Sequence, residues 1–111
     1  MSDELSWLQQ WYSAHCDGKW EHGFGVKIET LDNPGWSVKI DVEGTELAST
    51  PFEPEKTAVS DVNWVHCRVA ERKERALAGP FPPGRHFEGV GGMLNLGDIV
   101  KIFRTWVEAK R

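Results

Sequence analysis

Histidine and cysteine, the side chains that most often ligate metals or act as nucleophile and base, stand together twice in this chain. His15 and Cys16 are followed by His22, and His66 precedes Cys67. A metal ion needs several such ligands converging at fixed short distances. His66 and Cys67 are neighbours in a stretch that reads as a strand, where successive side chains point to opposite faces, so they do not share one ion. There is no CxxC or HxxxH spacing, and neither a metal site nor a cofactor is expected. Nucleophilic catalysis needs a Cys or Ser with a base and an orienting group. His15, Cys16 and His22 with the nearby carboxylates of Asp17 and Glu21 are the set a small enzyme or ligand-binding domain would use, and that is the alternative reading. A deep pocket holding a perturbed Cys or His would mark it. Carboxylate pairs such as Asp41 and Glu43 are of the kind that line any solvated face, so no catalytic residue is assigned and the protein is not expected to be an enzyme.

The glycine-rich stretches do not cradle phosphate. The G-F-G at 23–25 precedes a strand, and the G-V-G-G at 89–92 precedes a helix without the Lys and Ser/Thr of a phosphate loop. Arg68, Arg72, Lys73, Arg75 and Arg85 form a basic run, but Glu71 and Glu74 dilute it and only Phe81 offers a stacking ring. With a net charge of −4 this argues against a nucleic-acid partner.

The elements that position these residues follow from periodicity. Residues 3–16 read as an amphipathic helix, capped by Ser2 or Asp3 and stopped by Gly18, with Leu5, Leu8 and Tyr12 as a stripe and Trp7 and Trp11 beside it. Phe24, Val26, Ile28 and Thr30 alternate with polar residues. After D-N-P-G, Trp36, Val38, Ile40 and Val42 do the same, which is a hairpin signal. Cross-strand charge pairing favours a three-residue loop at 33–35, setting Lys27 against Asp41 and Glu29 against Lys39. A five-residue loop at 31–35 would set Lys27 against Lys39. Residues 45–50 suggest a short third strand and T-P-F-E-P-E-K, 50–56, a loop. Val65, Cys67 and Val69 mark the core side of a strand at 62–70. Residues 71–86, first charged and then rich in Pro and Gly, read as a long hairpin excursion, and 87–90 as a returning strand. Asn95 caps a final helix over 96–109, with Asp98 as its capping-box partner and Leu96, Ile99, Val100, Phe103, Trp106 and Val107 as its apolar stripe.

The expectation is an α+β domain: an antiparallel sheet of four to five short strands with the N-terminal and C-terminal helices packed on one face. At 111 residues the chain is expected to be a single domain, 1–111. No apolar run is long enough to cross a bilayer, and the acidic start lacks a signal peptide's basic and apolar regions. The expectation is a cytoplasmic protein with no membrane partner whose two cysteines stay as thiols. The sheet face away from the helices should show Lys27, Glu29, Lys39, Asp41, Trp64, His66 and Arg68. Trp64 is either an exposed protein-binding anchor or is covered by the 71–86 segment or by Trp20.

Three strings carry a resemblance: W-L-Q-Q-W-Y, C-D-G-K-W-E-H and G-V-K-I-E-T-L-D-N-P-G-W-S-V-K-I-D. Over these, and again at Trp64, Cys67, F-E-G-V-G-G, Leu96, Phe103 and Trp106, the chain resembles the immunity protein 53 family of bacterial polymorphic toxin systems. Segment 71–86 is longer than that family's usual link. The resemblance implies a non-catalytic antidote that binds a cognate toxin domain in the cytoplasm. A monomer or weak homodimer is expected. Contact is then expected through Lys39, Asp41, Trp64, His66 and Arg68 with Arg72 and Arg75 of the adjacent loop, or through a second patch of Asp17, Trp20, Glu21 and Asp32. An oligomerising module, recognised by its mass in solution and an apolar patch, is the third reading.

Overall fold

The computed structural model describes residues 4–72 and 84–110, with side chains described for all but Arg72 and Lys110. Chain order is α1 (Glu4–His15), α2 (Trp20–Gly23), β1 (Val26–Leu31), β2 (Gly35–Asp41), β3 (Glu55–Ala58), β4 (Trp64–Arg72), β5 (Gly84–Gly91) and α3 (Leu96–Lys110). The five strands form one antiparallel sheet in the order β1-β2-β5-β4-β3. α1 and α3 touch each other, and α3 lies over β2, β4 and β5. This is the expected α+β architecture, with both helices on one sheet face.

The core lies between the sheet and the helices. Strand alternation delivers Val38 and Ile40 from β2, Val65 and Cys67 from β4, and Phe87 from β5. From α3, Ile99, Val100, Phe103 and Val107 meet them, all fully buried. Phe103 stands at its centre, 5.0 Å from the ring of Trp11 and 5.1 Å from that of Phe87. Gly89 makes this close approach possible, because a Cβ there would collide with Ile99 and leave Sγ of Cys67 only 3.2 Å away.

Several expectations are corrected. On α1 the buried residues are Leu8 and Trp11, while Leu5 and Tyr12 are exposed. The helix rolls so that its largest side chains meet α3: Trp7 packs edge-on against Phe103 and lies beneath Arg104. The caps Ser2 and Asp3 fall outside the described residues. Segment 45–50 is a chain of turns instead of a strand, because Thr45, Ala48 and Thr50 bond back to the carbonyls three residues earlier. The strand lies further on, at β3, which begins at the end of the stretch expected to be a loop and runs past it. β4 and β5 reach further into 71–86 than expected, to Arg72 paired with Gly84.

The hairpin register is also not the favoured one. Lys27 faces Lys39 and Leu31 faces Gly35, two residues away from the arrangement with Lys27 against Asp41. Two contacts with β5 decide it. Gly35 lies in the strand, where a Cβ would overlap the carbonyl of Gly91. Lys39 is relieved of its like charge by Glu88, directly opposite on β5. A two-residue slip keeps every side chain on its face, so the apolar pattern could not tell the two registers apart.

Candidate functional site

The sheet face away from the helices carries the charged alternates of each strand. Across β2, β5 and β4 one row reads Lys39, Glu88, Arg68. Nε of Arg68 donates to Oε1 of Glu88 at 2.8 Å, Nη2 lies 2.8 Å from the same oxygen as an ion pair, and Nε2 of His86 is 3.8 Å from the other carboxylate oxygen. Partial burial pushes the Glu88 carboxyl up. The Arg68 hydrogen bond and charge, with His86 and Lys39, outweigh it and hold the group below the usual carboxylate range. Next along β4, the rings of Trp64 and His66 meet edge to face at 5.6 Å. Trp64 is half-buried and His66 exposed. A shallow groove of about 280 Å³ runs here, lined by Pro54, Lys56, His66, Arg68, Glu88 and Val90 among others.

Lys39, Trp64, His66 and Arg68 therefore share one face, as parity predicts. Asp41 joins them but is already engaged: its carboxylate accepts the Gly25 N–H at 2.9 Å and fixes the entry to β1. The side chain of Arg72 and all of Arg75 lie outside the described residues. Glu88 was missed as a member of this face, although its place beside inward-facing Phe87 in H-F-E-G-V carried the signal. Arg85 is not part of a solvated basic run. Instead its guanidinium donates to the carbonyls of Leu47, Ala48 and Thr50, pinning the turns of 45–50.

The residues of the second patch are not all brought together. Oδ1 of Asp17 accepts the N–H groups of Lys19 and Trp20 at 2.9 and 3.0 Å. The Glu21 carboxylate accepts those of Asp17 and Gly18 at 3.0 and 2.8 Å. Backbone hydrogen bonds hold both carboxyls below their usual range. Trp20 is buried beside Trp11 and Phe24, its indole donating to the Glu43 carbonyl at 2.8 Å. These three shape the α1–α2 corner. Asp32 lies beyond the opposite end of β1.

His15 and Cys16 have separate partners. The His15 ring nitrogens lie 2.7 Å from the Trp11 carbonyl and 2.8 Å from a Glu46 carboxylate oxygen, while the Cys16 thiol donates to the Tyr12 carbonyl at 3.3 Å. His22 is exposed on the one-turn α2. Burial, with some help from Glu55, pushes the Cys67 thiol up to about 12, so it is inert at neutral pH. Both cysteines are free thiols. Among the described residues no three His, Cys, Asp or Glu side chains gather as metal ligands, and no helix is long and apolar enough to cross a membrane.

Fold and face together define a two-layer α+β protein whose sheet is packed on one side and presents an open, charge-patterned surface on the other. The chain matches the model of the immunity protein 53 family over residues 5–108, and it belongs to that family. Comparison with curated proteins and with solved structures gives no match.

Proposed function

We propose that this protein is a non-catalytic, cytoplasmic antidote that neutralises a cognate toxin domain by direct contact. Membership of the immunity protein 53 family supports the toxin partner. The observation that supports the contact surface is the open sheet face, with Lys39, Asp41, Trp64, His66 and Arg68 held on rigid strands; Arg72, at the end of β4, and Arg75, three residues further on in the sequence, are read as extending it. Strand-borne side chains lose little freedom on binding, so less of the contact energy is offset by ordering. Trp and Arg are the residue types that most often anchor protein interfaces. The alternating charges orient the partner and speed its approach. Neutralisation then follows from occlusion of the toxin's working groove.

The test is calorimetric titration against the toxin domain encoded beside this protein. Replacing Lys39→Glu and Arg68→Glu together is expected to weaken Kd at least tenfold, about 1.4 kcal/mol; it also sets three carboxylates in one row with Glu88, so the thermal midpoint should fall while the chain stays folded at the temperature of the titration. Unchanged affinity in that variant would remove the sheet face from the interface.

A further inference from the structure

Three loops meet at one end of the sheet: 32–34 between β1 and β2, 59–63 between β3 and β4, and 92–95 before α3. The second and third are fastened to each other and to the start of β2. Nε1 of Trp36 donates to the Met93 carbonyl at 2.9 Å, the Gly92 N–H to the Trp64 carbonyl at 3.1 Å, and Nδ2 of Asn95 to Oδ1 of Asn63 at 3.0 Å. On this frame Val59, Val62, Met93 and Leu94 are 70%, 55%, 47% and 91% exposed. These are four of the seven large apolar side chains exposed among the described residues. A folded chain does not commonly gather its exposed apolar side chains on one set of hydrogen-bonded loops, and such gathering marks an interaction surface. The loops hold two carboxylates, Asp32 and Asp61, a third, Asp98, follows in the first turn of α3, and positions 31–36, 58–64 and 91–98 contain no Lys, Arg or His.

We infer that this loop end is an apolar anchor with an acidic rim, and that its occupant is a protein surface whose apolar depression is bordered by Lys and Arg. The inference rests on the toxin-binding reading above and deepens it by naming the chemistry of the partner. The acidic rim selects a basic surface over another copy of this chain, because two such ends would set their carboxylates against each other. Leu94 and Val59 supply the apolar contact, and the hydrogen bonds among the loops hold them in place before binding. Trp64 links the two regions, since its backbone belongs to the loop frame and its ring to the open sheet face. The interface therefore turns from the sheet onto its end.

The experiment titrates the neighbouring toxin domain against the full chain and three variants. Leu94→Asp is expected to weaken Kd at least tenfold, and Leu94→Ser, which adds no charge, several-fold, both with wild-type thermal midpoints because the side chain is almost wholly exposed. Asp32→Lys with Asp61→Lys is expected to slow association several-fold and to flatten its salt dependence. If all three bind like wild type while the Lys39→Glu, Arg68→Glu variant is weakened, the loop end is not part of the interface and the inference fails alone. If the wild-type chain does not bind the toxin domain, the toxin-binding reading fails and takes the inference with it. A homodimer in light scattering that Leu94→Asp dissociates would overturn the inference by giving this end to a second copy.

Discussion

Asn95 offers a test in which local and tertiary reasoning disagree. It is buried just ahead of α3, its carbonyl accepts the Ile99 N–H, and by helix-cap preference Asp should serve there as well as Asn. The tertiary structure says otherwise. Nδ2 donates to Oδ1 of Asn63 at 3.0 Å and to Oδ2 of Asp98 at 2.8 Å, and Oδ1 accepts the Trp64 N–H at 3.3 Å. Only this orientation of the amide sets donors against acceptors. Asn95→Asp keeps the acceptor but loses both donated bonds, about 1 kcal/mol for the neutral acceptor and about 2 for the carboxylate. It also sets two carboxylates at close range, worth about 1–2 kcal/mol more once exposure of Asp98 is allowed for. Favourable interaction with the helix dipole returns about 0.5 kcal/mol. The net loss is about 3.5–4.5 kcal/mol, a fall of about 14–18 °C in thermal midpoint for a domain of this size. Near pH 4 protonation of the introduced carboxyl restores a donor, and the gap should narrow. Thermal unfolding followed by tryptophan fluorescence at pH 7 and pH 4 measures both. A variant within 2 °C of wild type at pH 7 would refute the network and leave Asn95 as a simple cap.

Gly89→Ala should cost about 1–3 kcal/mol, because its Cβ would press into Ile99; denaturant titration should show a lower midpoint, and an unchanged one would mean that α3 can lift freely from β5. Cys67 gives a pH prediction. Burial raises its thiol in the folded state from the ordinary 9.0 to about 12, so the stability this contributes is fully present below pH 9 and is lost as pH climbs toward 12. Cys67→Ala should therefore flatten the alkaline limb of the stability curve, and at pH 8 a thiol reagent should label Cys16 while sparing Cys67 until the chain unfolds.

Apolar periodicity by itself determined much of this protein. It located the first two strands, the final helix and the inward sides of Val38, Ile40, Val65, Cys67 and Phe103, because burial couples directly to a period of two or 3.6 residues. The same parity placed Lys39, Trp64, His66 and Arg68 on one open face. The family strings at the first helix and hairpin supplied the family, and with it the implication of a toxin partner, which no pattern of charges or apolar residues names. What parity could not fix was anything that depends on a neighbour distant in sequence. The hairpin register turned on Gly91 and Glu88, about fifty residues away from the strand they adjust. The roll of α1 turned on Phe103. Arg85 looked like a solvated cation until the turns of 45–50 brought three carbonyls to it. The apolar end with Val59, Val62, Met93 and Leu94 was invisible for the same reason. Its residues come from loops far apart in the chain, where no period constrains them, and only strand pairing and the hydrogen bonds of Trp36, Gly92 and Asn95 assemble them into one surface.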